Sequence, residues 1–229
     1  MFYYNDSMLW LVLLVAVIGM IASARVKSTF NKYSKLLSRT GLRACDVAGR
    51  LLYEGGSDVR LTRVSGSLTD HFNPKTNTVG LSEAVYDQTS VAALAVAAHE
   101  IGHVMQYQEG YQPIRFRNTI MPVANIGSML SPYIVLAGVF LGSYELALFG
   151  AILFGGIFLF QLVTLPVELN ASNRAIEMLC SGGYITGAEE EKAARAVLRA
   201  AAMTYVVAVL SAFVSFLRLF MIAGRAKRD

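Results

Sequence analysis

The sequence has 229 residues, of which 55% are hydrophobic and only 16% are charged, and its formal net charge is +4. A typical soluble domain carries about 25% charged residues, so this composition favours an integral membrane protein over a soluble one. The basic residues cluster beside apolar runs, which is typical of membrane topology signals and not of a nucleic-acid-binding surface. Cys45 and Cys180 have no paired spacing, so we interpret them as ordinary thiols.

Four runs are apolar enough to cross a bilayer: residues 8–24, 119–141, 147–167 and 203–223. No basic segment precedes the first run, so we expect a retained anchor and not a cleaved signal peptide. Only "GSYE" and its neighbours separate the second run from the third, which predicts a tight helical hairpin. Pro122 and Pro132 interrupt the second run, and membrane helices tolerate such breaks.

The distribution of basic residues predicts the orientation. Arg25, Lys27, Lys32 and Lys35 follow the first run and mark its cytoplasmic side. The loops that are then cytoplasmic contain sixteen of the twenty Lys and Arg residues, and the basic tail "GRAKRD" lies outside. The alternative is that the last run lies partly in the interface and leaves the tail in the cytosol.

The polar segments between these runs predict one small α+β domain in a mainly α protein. Residues 26–41 show a helical stripe ending at Gly41, and a second helix is expected to end at Gly55 and Gly56. Between residues 58 and 82, β-rich pieces surround the turn "NPKT", which predicts a short antiparallel sheet. From Ser90 to about Gln108 the sequence is rich in alanine and predicts a closely packed helix.

The segment "AAHEIGHVMQ" on this helix carries the clearest chemical signal. His99 and His103 are four residues apart, so both imidazoles lie on one helix face and can reach the same Zn²⁺ ion. Glu100 is then placed to accept a proton from a water molecule that the metal activates. The competing interpretation, two unrelated helix histidines, would bury unpaired polar groups among alanines at a free-energy cost.

A catalytic zinc site needs a third protein ligand, and the spacing alone leaves two candidates open. One is His71, the remaining histidine, in "TDHFN" on the predicted sheet. The other is Glu168, which follows the third apolar run in "LPVELNASNRAIEML", where Pro166 is expected to close the span and a new helix to begin.

The order of these motifs resembles a known family. "HEIGH", an apolar hairpin and "ELNAS" resemble the heat-shock and CAAX-type membrane zinc proteases. With "DHFNPKTNTVGLSEAVYD" and "PVELNASNRA", most of the chain resembles the YugP-like neutral zinc metallopeptidases of bacteria. The resemblance implies a zincin-like domain, one zinc ion held by His99, His103 and Glu168, and Glu100 as general base. It also suggests the bacterial plasma membrane as the location.

Several further residues are candidates for supporting roles. Ser172 stands where the wider group has an aspartate, so the role of that carboxylate is absent or supplied otherwise. Transition-state or ligand-supporting roles are open to His71, Asn170, Ser172 and Arg174, and an oxyanion role also to Tyr107; a structural role is the alternative for each. In zinc peptidases of this shape an edge strand pairs with extended substrate, and Asn77, Thr78, Val79, Gly80 and Leu81 form the candidate strand.

We therefore predict a multi-pass membrane zinc endopeptidase whose active site faces the cytoplasm and whose partners are peptide substrates and the lipid bilayer, with no role for nucleic acid. The alternatives are a catalytically silent, zinc-stabilised membrane scaffold and, ranked last, a metal transporter. The expected divisions are an anchor (1–24), a zincin-like domain (25–118), a transmembrane hairpin (119–167), a ligand-bearing helical segment (168–202) and a last transmembrane helix with its basic tail (203–229).

Overall fold

The structure is a computed structural model that describes residues 7–225. The described residues form six helices and three strands: α1 Ser7–Tyr33, α2 Ala44–Glu54, β1 Arg60–Val64, β2 His71–Asn73, β3 Thr78–Ser82, α3 Val91–Gln108, α4 Gln112–Phe140, α5 Tyr144–Ser181 and α6 Gly187–Arg225. The last four residues of the basic tail lie outside this range. The prediction for the side of the membrane on which the tail lies therefore concerns residues that are mostly not described.

The mainly helical class with a small sheet is confirmed, and so is the number of long apolar helices. Among the described residues, α1, α4, α5 and α6 are long and apolar enough to cross a membrane. Pro122 and Pro132 lie inside α4, and neither ends the helix. Many large apolar side chains on these helices are exposed, such as Trp10 at 75% and Phe140 at 87%; a lipid environment accounts for such surfaces.

The chain divides into two compact units. The first contains the residues up to Ala22, Arg115–Pro166, and the residues from Thr204 onward; the second contains Ser23–Ile114 and Val167–Met203. Within the first unit, Val15 and Ala22 of α1 pack with Val207 and Val214 of α6. These contacts and the α4–α5 hairpin give this unit its own apolar interior.

Small residues let the two helices of the hairpin approach each other closely. Gly142 has a φ of +63° in the tight connection, where glycine is the least strained residue. The Ser143 side chain accepts a hydrogen bond from the Leu146 backbone N–H at 3.3 Å and so caps the start of α5. A Cβ atom added at Gly138 would contact the backbone nitrogen of Ala147 and lie 2.7 Å from its Cα.

The core of the second unit surrounds α3. Its alanine-rich first half, Val91–Ala95 with Ala97 and Ala98, is fully buried, because small side chains let neighbouring elements pack close to the helix. The Ser90 side chain caps its start by accepting a hydrogen bond from Ala93 N–H at 3.3 Å. This packing fixes the helix that carries the HEIGH motif.

The sheet differs from the predicted antiparallel arrangement. Its strand order is β1-β3-β2, with β1 parallel to β3 and β2 antiparallel to β3. The Asp70 carboxylate accepts hydrogen bonds from the backbone N–H and hydroxyl of Ser82, which joins the start of β2 to the end of β3. The prediction of an edge strand at Asn77–Leu81 is wrong, because β3 has a hydrogen-bonded strand on each side and therefore has no free edge.

Two predicted helix ends also differ. The helix expected to end at Gly41 ends at Tyr33, as the continuation of α1, because the next residues pair with the start of α3: Ser38 N–H donates to Thr89 O, and Val91 N–H donates to Leu36 O. A new helix was expected after Pro166, but α5 continues through this proline to Ser181.

Substitution of Gly138 by alanine tests the close approach in the hairpin. The added methyl group meets backbone atoms of Ala147, and such overpacking costs about 1–3 kcal/mol. We expect Gly138→Ala to lower the thermal unfolding midpoint in detergent. Gly156→Ala is the matched control, because no heavy atom lies within 4 Å of its added Cβ; equal midpoints for the two variants would contradict the predicted close packing.

Candidate metal centre

The two histidines of the HEIGH motif point from one face of α3. Their ring centroids are 4.8 Å apart and their planes are inclined by 82°, as expected for side chains one helical turn apart. Both rings are largely buried, with 14% and 11% of the side-chain surface of His99 and His103 exposed. The helix thus presents a compact pair of imidazoles with little access to bulk water.

A close crossing of α3 and α5 at Gly102 brings a third side chain to this pair. A Cβ atom added at Gly102 would lie 2.7 Å from the carbonyl oxygen and 3.2 Å from the Cα of Ala171. Only glycine permits this distance between the helix backbones, since the contacting atoms are main-chain atoms that cannot rotate away. Because Ala171 lies one turn after Glu168 on α5, the crossing sets the position of that carboxylate.

The Glu168 carboxylate lies between the two imidazoles. Its Oε2 atom is 3.3 Å from His99 Nε2 and 3.5 Å from His103 Nε2, and the residue is only 2% exposed. These distances exceed those of good N–H···O hydrogen bonds, ~2.7–3.2 Å. They match the ~3.3 Å between two ligands of a tetrahedral zinc ion with bonds of ~2.0–2.1 Å. Among the described residues, these three bring their ligand atoms within 4.8 Å of one another and could hold a metal ion.

The second nitrogen of each imidazole has a polar partner. His99 Nδ1 is 3.2 Å from the Ser172 hydroxyl, and His103 Nδ1 is 3.0 Å from Gln106 Oε1. Metal-binding histidines usually donate the N–H of their other ring nitrogen in this way, so both Nε2 atoms remain directed towards Glu168. Ser172 thus contacts one of the two candidate ligand histidines, whereas Gln106 was not among the predicted residues; its position three residues after His103 on the same face was the available signal.

Charge and burial perturb the neighbouring titratable groups. Burial raises the pKa of the Glu100 carboxyl, and the adjacent His99 and His103 only partly oppose this effect. Burial by itself would lower the pKa of His103, but hydrogen bonding to Glu168 and the charges of Glu100 and Glu168 outweigh it and raise that pKa. A buried carboxyl with a raised pKa is a better proton acceptor than an exposed one.

The structure does not place His71 in this cluster. His71 Nδ1 lies 2.9 Å from Thr69 O, and its ring stands over Gly80, where an added Cβ would approach His71 Cε1 to 2.8 Å. The described His, Cys, Asp and Glu residues whose ligand atoms converge are His99, His103 and Glu168. Of the two third-ligand candidates, only Glu168 is therefore brought to the histidine pair.

Asn170, Arg174 and Tyr107 also have defined contacts. Asn170 Oδ1 accepts from Gln106 Nε2 at 2.8 Å and from Arg174 Nε at 2.9 Å. Arg174 makes a bidentate ion pair with Glu109 at 2.7 Å, and Tyr107 packs edge-on against Phe72 with centroids 5.9 Å apart. Asn170 and Arg174 are thus linked to His103 through Gln106.

Comparison with known proteins agrees with this site. Residues 8–224 match the model of a family described as "Putative neutral zinc metallopeptidase". The chain is 44% identical over 218 residues to the "Putative membrane protease YugP" of Bacillus subtilis (strain 168), an alignment that covers 94% of this chain and 96% of that protein. No solved structure matches the chain. The predicted family resemblance is thereby confirmed.

Substitution of Gly102 tests whether the helix crossing assembles the cluster. The methyl group of Gly102→Ala would push against the backbone of Ala171 and move Glu168 away from the histidines. We expect lower bound zinc per protein, measured by elemental analysis, and a lower unfolding midpoint. Gly49→Ala on α2 is the control, because its added Cβ makes only an ordinary contact of 3.8 Å with Leu61; full zinc content in Gly102→Ala would count against this role of the crossing.

Proposed function

Because the chain belongs to the neutral zinc metallopeptidase family, we propose that it is a membrane-bound zinc endopeptidase with one zinc ion held by His99, His103 and Glu168. The observation that carries this proposal is the convergence of two imidazole nitrogens and one buried carboxylate oxygen within 4.8 Å. Two nitrogens and an oxygen form the ligand set of many catalytic zinc sites, in which a fourth position stays open.

The bound zinc would act as a Lewis acid and would lower the pKa of a water molecule towards neutrality. Glu100 directly follows His99 in the sequence and interacts electrostatically with both histidines. Its carboxylate accepts one proton from the attacking water as the new C–O bond forms at the peptide carbonyl. It then delivers that proton to the leaving amine as the C–N bond breaks, so Glu100 ends each cycle ionised.

Burial of Glu100 suits this exchange. The residue is 8% exposed, and the raised pKa of its carboxyl brings it closer to neutral pH, where an acid–base group both takes and releases a proton readily. A site with a purely structural zinc gains nothing from such a group and usually has four protein ligands. This is the physical reason for preferring a peptidase over the catalytically silent scaffold.

Strand β2 is our candidate for substrate binding. It is an edge strand and contacts α3 through Phe72 and Tyr107. An extended peptide can add to a free strand edge by main-chain hydrogen bonds, which favours flexible polypeptide segments over folded domains. Following the basic residues after the first apolar run, we place this site on the cytoplasmic side of the cell membrane.

Substitution of Glu100 by glutamine tests its role as general base. The amide keeps the size of the side chain but cannot accept the proton, and removal of a general base typically lowers kcat by about 10²–10⁴-fold. We expect Glu100→Gln to retain zinc and lose turnover of a fluorogenic peptide library. Glu83→Gln, at an exposed carboxylate, should behave as the parent; parental turnover by Glu100→Gln would overturn the proposed mechanism.

Removal of the Glu168 carboxylate tests the ligand set. We expect Glu168→Ala to lose bound zinc, because two imidazoles alone hold the ion weakly. Glu177→Ala is the matched control, since Glu177 is an exposed carboxylate on the same helix. Metal content by elemental analysis distinguishes the variants, and an unchanged zinc content in Glu168→Ala would exclude Glu168 as a ligand.

A further inference from the structure

Gln106 is a buried amide with polar contacts on both of its ends. The residue is 0% exposed. Its Oε1 atom lies 3.0 Å from His103 Nδ1, and its Nε2 atom donates to Val167 O and to Asn170 Oδ1, both at 2.8 Å. One side chain of α3 therefore contacts a proposed metal ligand and two residues of α5, Val167 directly before Glu168 and Asn170 two residues after it.

The orientation of this amide is determined by its partners. Val167 O is a backbone carbonyl and can only accept a hydrogen bond, so the Gln106 atom that faces it must be the NH₂ group. Asn170 Oδ1 also accepts from Arg174 Nε at 2.9 Å, and a guanidinium can only donate. The atom of Asn170 that faces Gln106 is therefore also an oxygen. If the Gln106 amide were flipped, its own oxygen would face the oxygens of Val167 and Asn170, and no hydrogen bond could form.

This orientation also fixes the tautomer of His103. With the NH₂ group engaged by α5, Oε1 faces the ring, and His103 Nδ1 must carry the hydrogen that it donates. The lone pair of the neutral ring then lies on Nε2, which is the atom 3.5 Å from Glu168 Oε2. His99 has no such restraint, because the Ser172 hydroxyl at its Nδ1 can donate or accept.

The hydrogen bonds form a chain from His103 through Gln106 and Asn170 to Arg174, and an ion pair with Glu109 fixes Arg174 at its end. Glu109 accepts two hydrogen bonds of 2.7 Å from Arg174, which directs Arg174 Nε towards Asn170. Asn170 Oδ1 thus accepts from both sides, from Arg174 Nε and from Gln106 Nε2, while Gln106 Oε1 accepts from His103 Nδ1. The chain stays neutral beside His103, because its charged members lie two side chains away.

We propose that Gln106 is a positioning residue for the zinc site: its amide fixes the His103 tautomer and holds the segment of α5 that carries Glu168. Arg174 acts on the same histidine through Asn170 and Gln106. This inference rests on the proposed function, since it takes His103 and Glu168 as zinc ligands. Glutamine suits the role because one end accepts while the other donates, which neither a carboxylate nor an apolar side chain of the same size can do.

The test is the zinc affinity of Gln106→Met and Gln106→Glu in the detergent-solubilised full chain, measured by competition with a chelator. Loss of such a supporting contact typically weakens metal binding by about 10–100-fold, and we expect a loss in this range for Gln106→Met. Gln106→Glu places a carboxylate against two acceptor oxygens and should also bind zinc more weakly. Gln108→Met and Gln108→Glu are the controls, because Gln108 is exposed on the same helix.

The absorption spectrum of the Co²⁺-substituted protein supplies a second measurement. It reports the geometry around the ion, so we expect altered d–d bands in the Gln106 variants and parental bands in the Gln108 variants. Parental zinc affinity and parental bands in both Gln106 variants would overturn the inference. In that event, zinc binding by the parent and its loss in Glu168→Ala would leave the proposed function standing, whereas a parent that binds no zinc would overturn both.

A variant at a partly exposed residue tests the proposal even if the Gln106 variants fail to fold. Arg174 is 25% exposed, and Arg174→Met removes the donor that orients Asn170 without touching either histidine. We expect a zinc affinity about 2–5-fold below the parental value, since the effect passes through two hydrogen bonds. In the double variant with Gln106→Met it should add nothing further; full additivity, or no effect of Arg174→Met in the parent, would contradict the proposed chain.

Discussion

The close approach of α3 and α5 at Gly102 is the constraint on which the candidate site depends. The two histidines belong to one helix and the carboxylate to another, and the helices can meet with Glu168 at this depth only because no side chain separates Gly102 from the backbone of Ala171. The same contact brings Ser172 to His99 and Asn170 to Gln106. The lack of a side chain at Gly102 therefore lets the proposed ligands and the side chains around them come together.

Polar groups at this crossing are stabilised by one another, because little water reaches them. Each imidazole has one nitrogen on a protein partner and the other directed towards Glu168. Hydrogen bonding to Glu168 and the charges of Glu100 and Glu168 outweigh the effect of burial and raise the pKa of His103. A zinc ion at the proposed site would compete with a proton for the same nitrogen, which is the usual linkage at metal sites.

The patterns that are local in sequence predicted most of this protein. The HEIGH spacing, the apolar runs and the motif around Glu168 are each readable within about twenty residues, and the four long apolar helices were found as expected. The antiparallel arrangement predicted for the sheet was wrong for β1, because its parallel pairing with β3 depends on where the connection after β1 leads the chain, which the local pattern does not specify. Gln106 was missed for a similar reason: its partners Val167 and Asn170 lie more than sixty residues away, and glutamine is not a typical zinc ligand.

In the sequence, the α4–α5 hairpin lies between the two histidines and Glu168, and this order has a consequence for biosynthesis. His99 and His103 precede the segment from α4 through the first part of α5, and Glu168 follows it on the same continuous helix. A nascent chain therefore leaves the ribosome with both histidines long before the carboxylate, and the intervening residues are those that must enter the bilayer. The three side chains can meet only after translation of the hairpin is finished, so a chain arrested earlier cannot assemble the cluster.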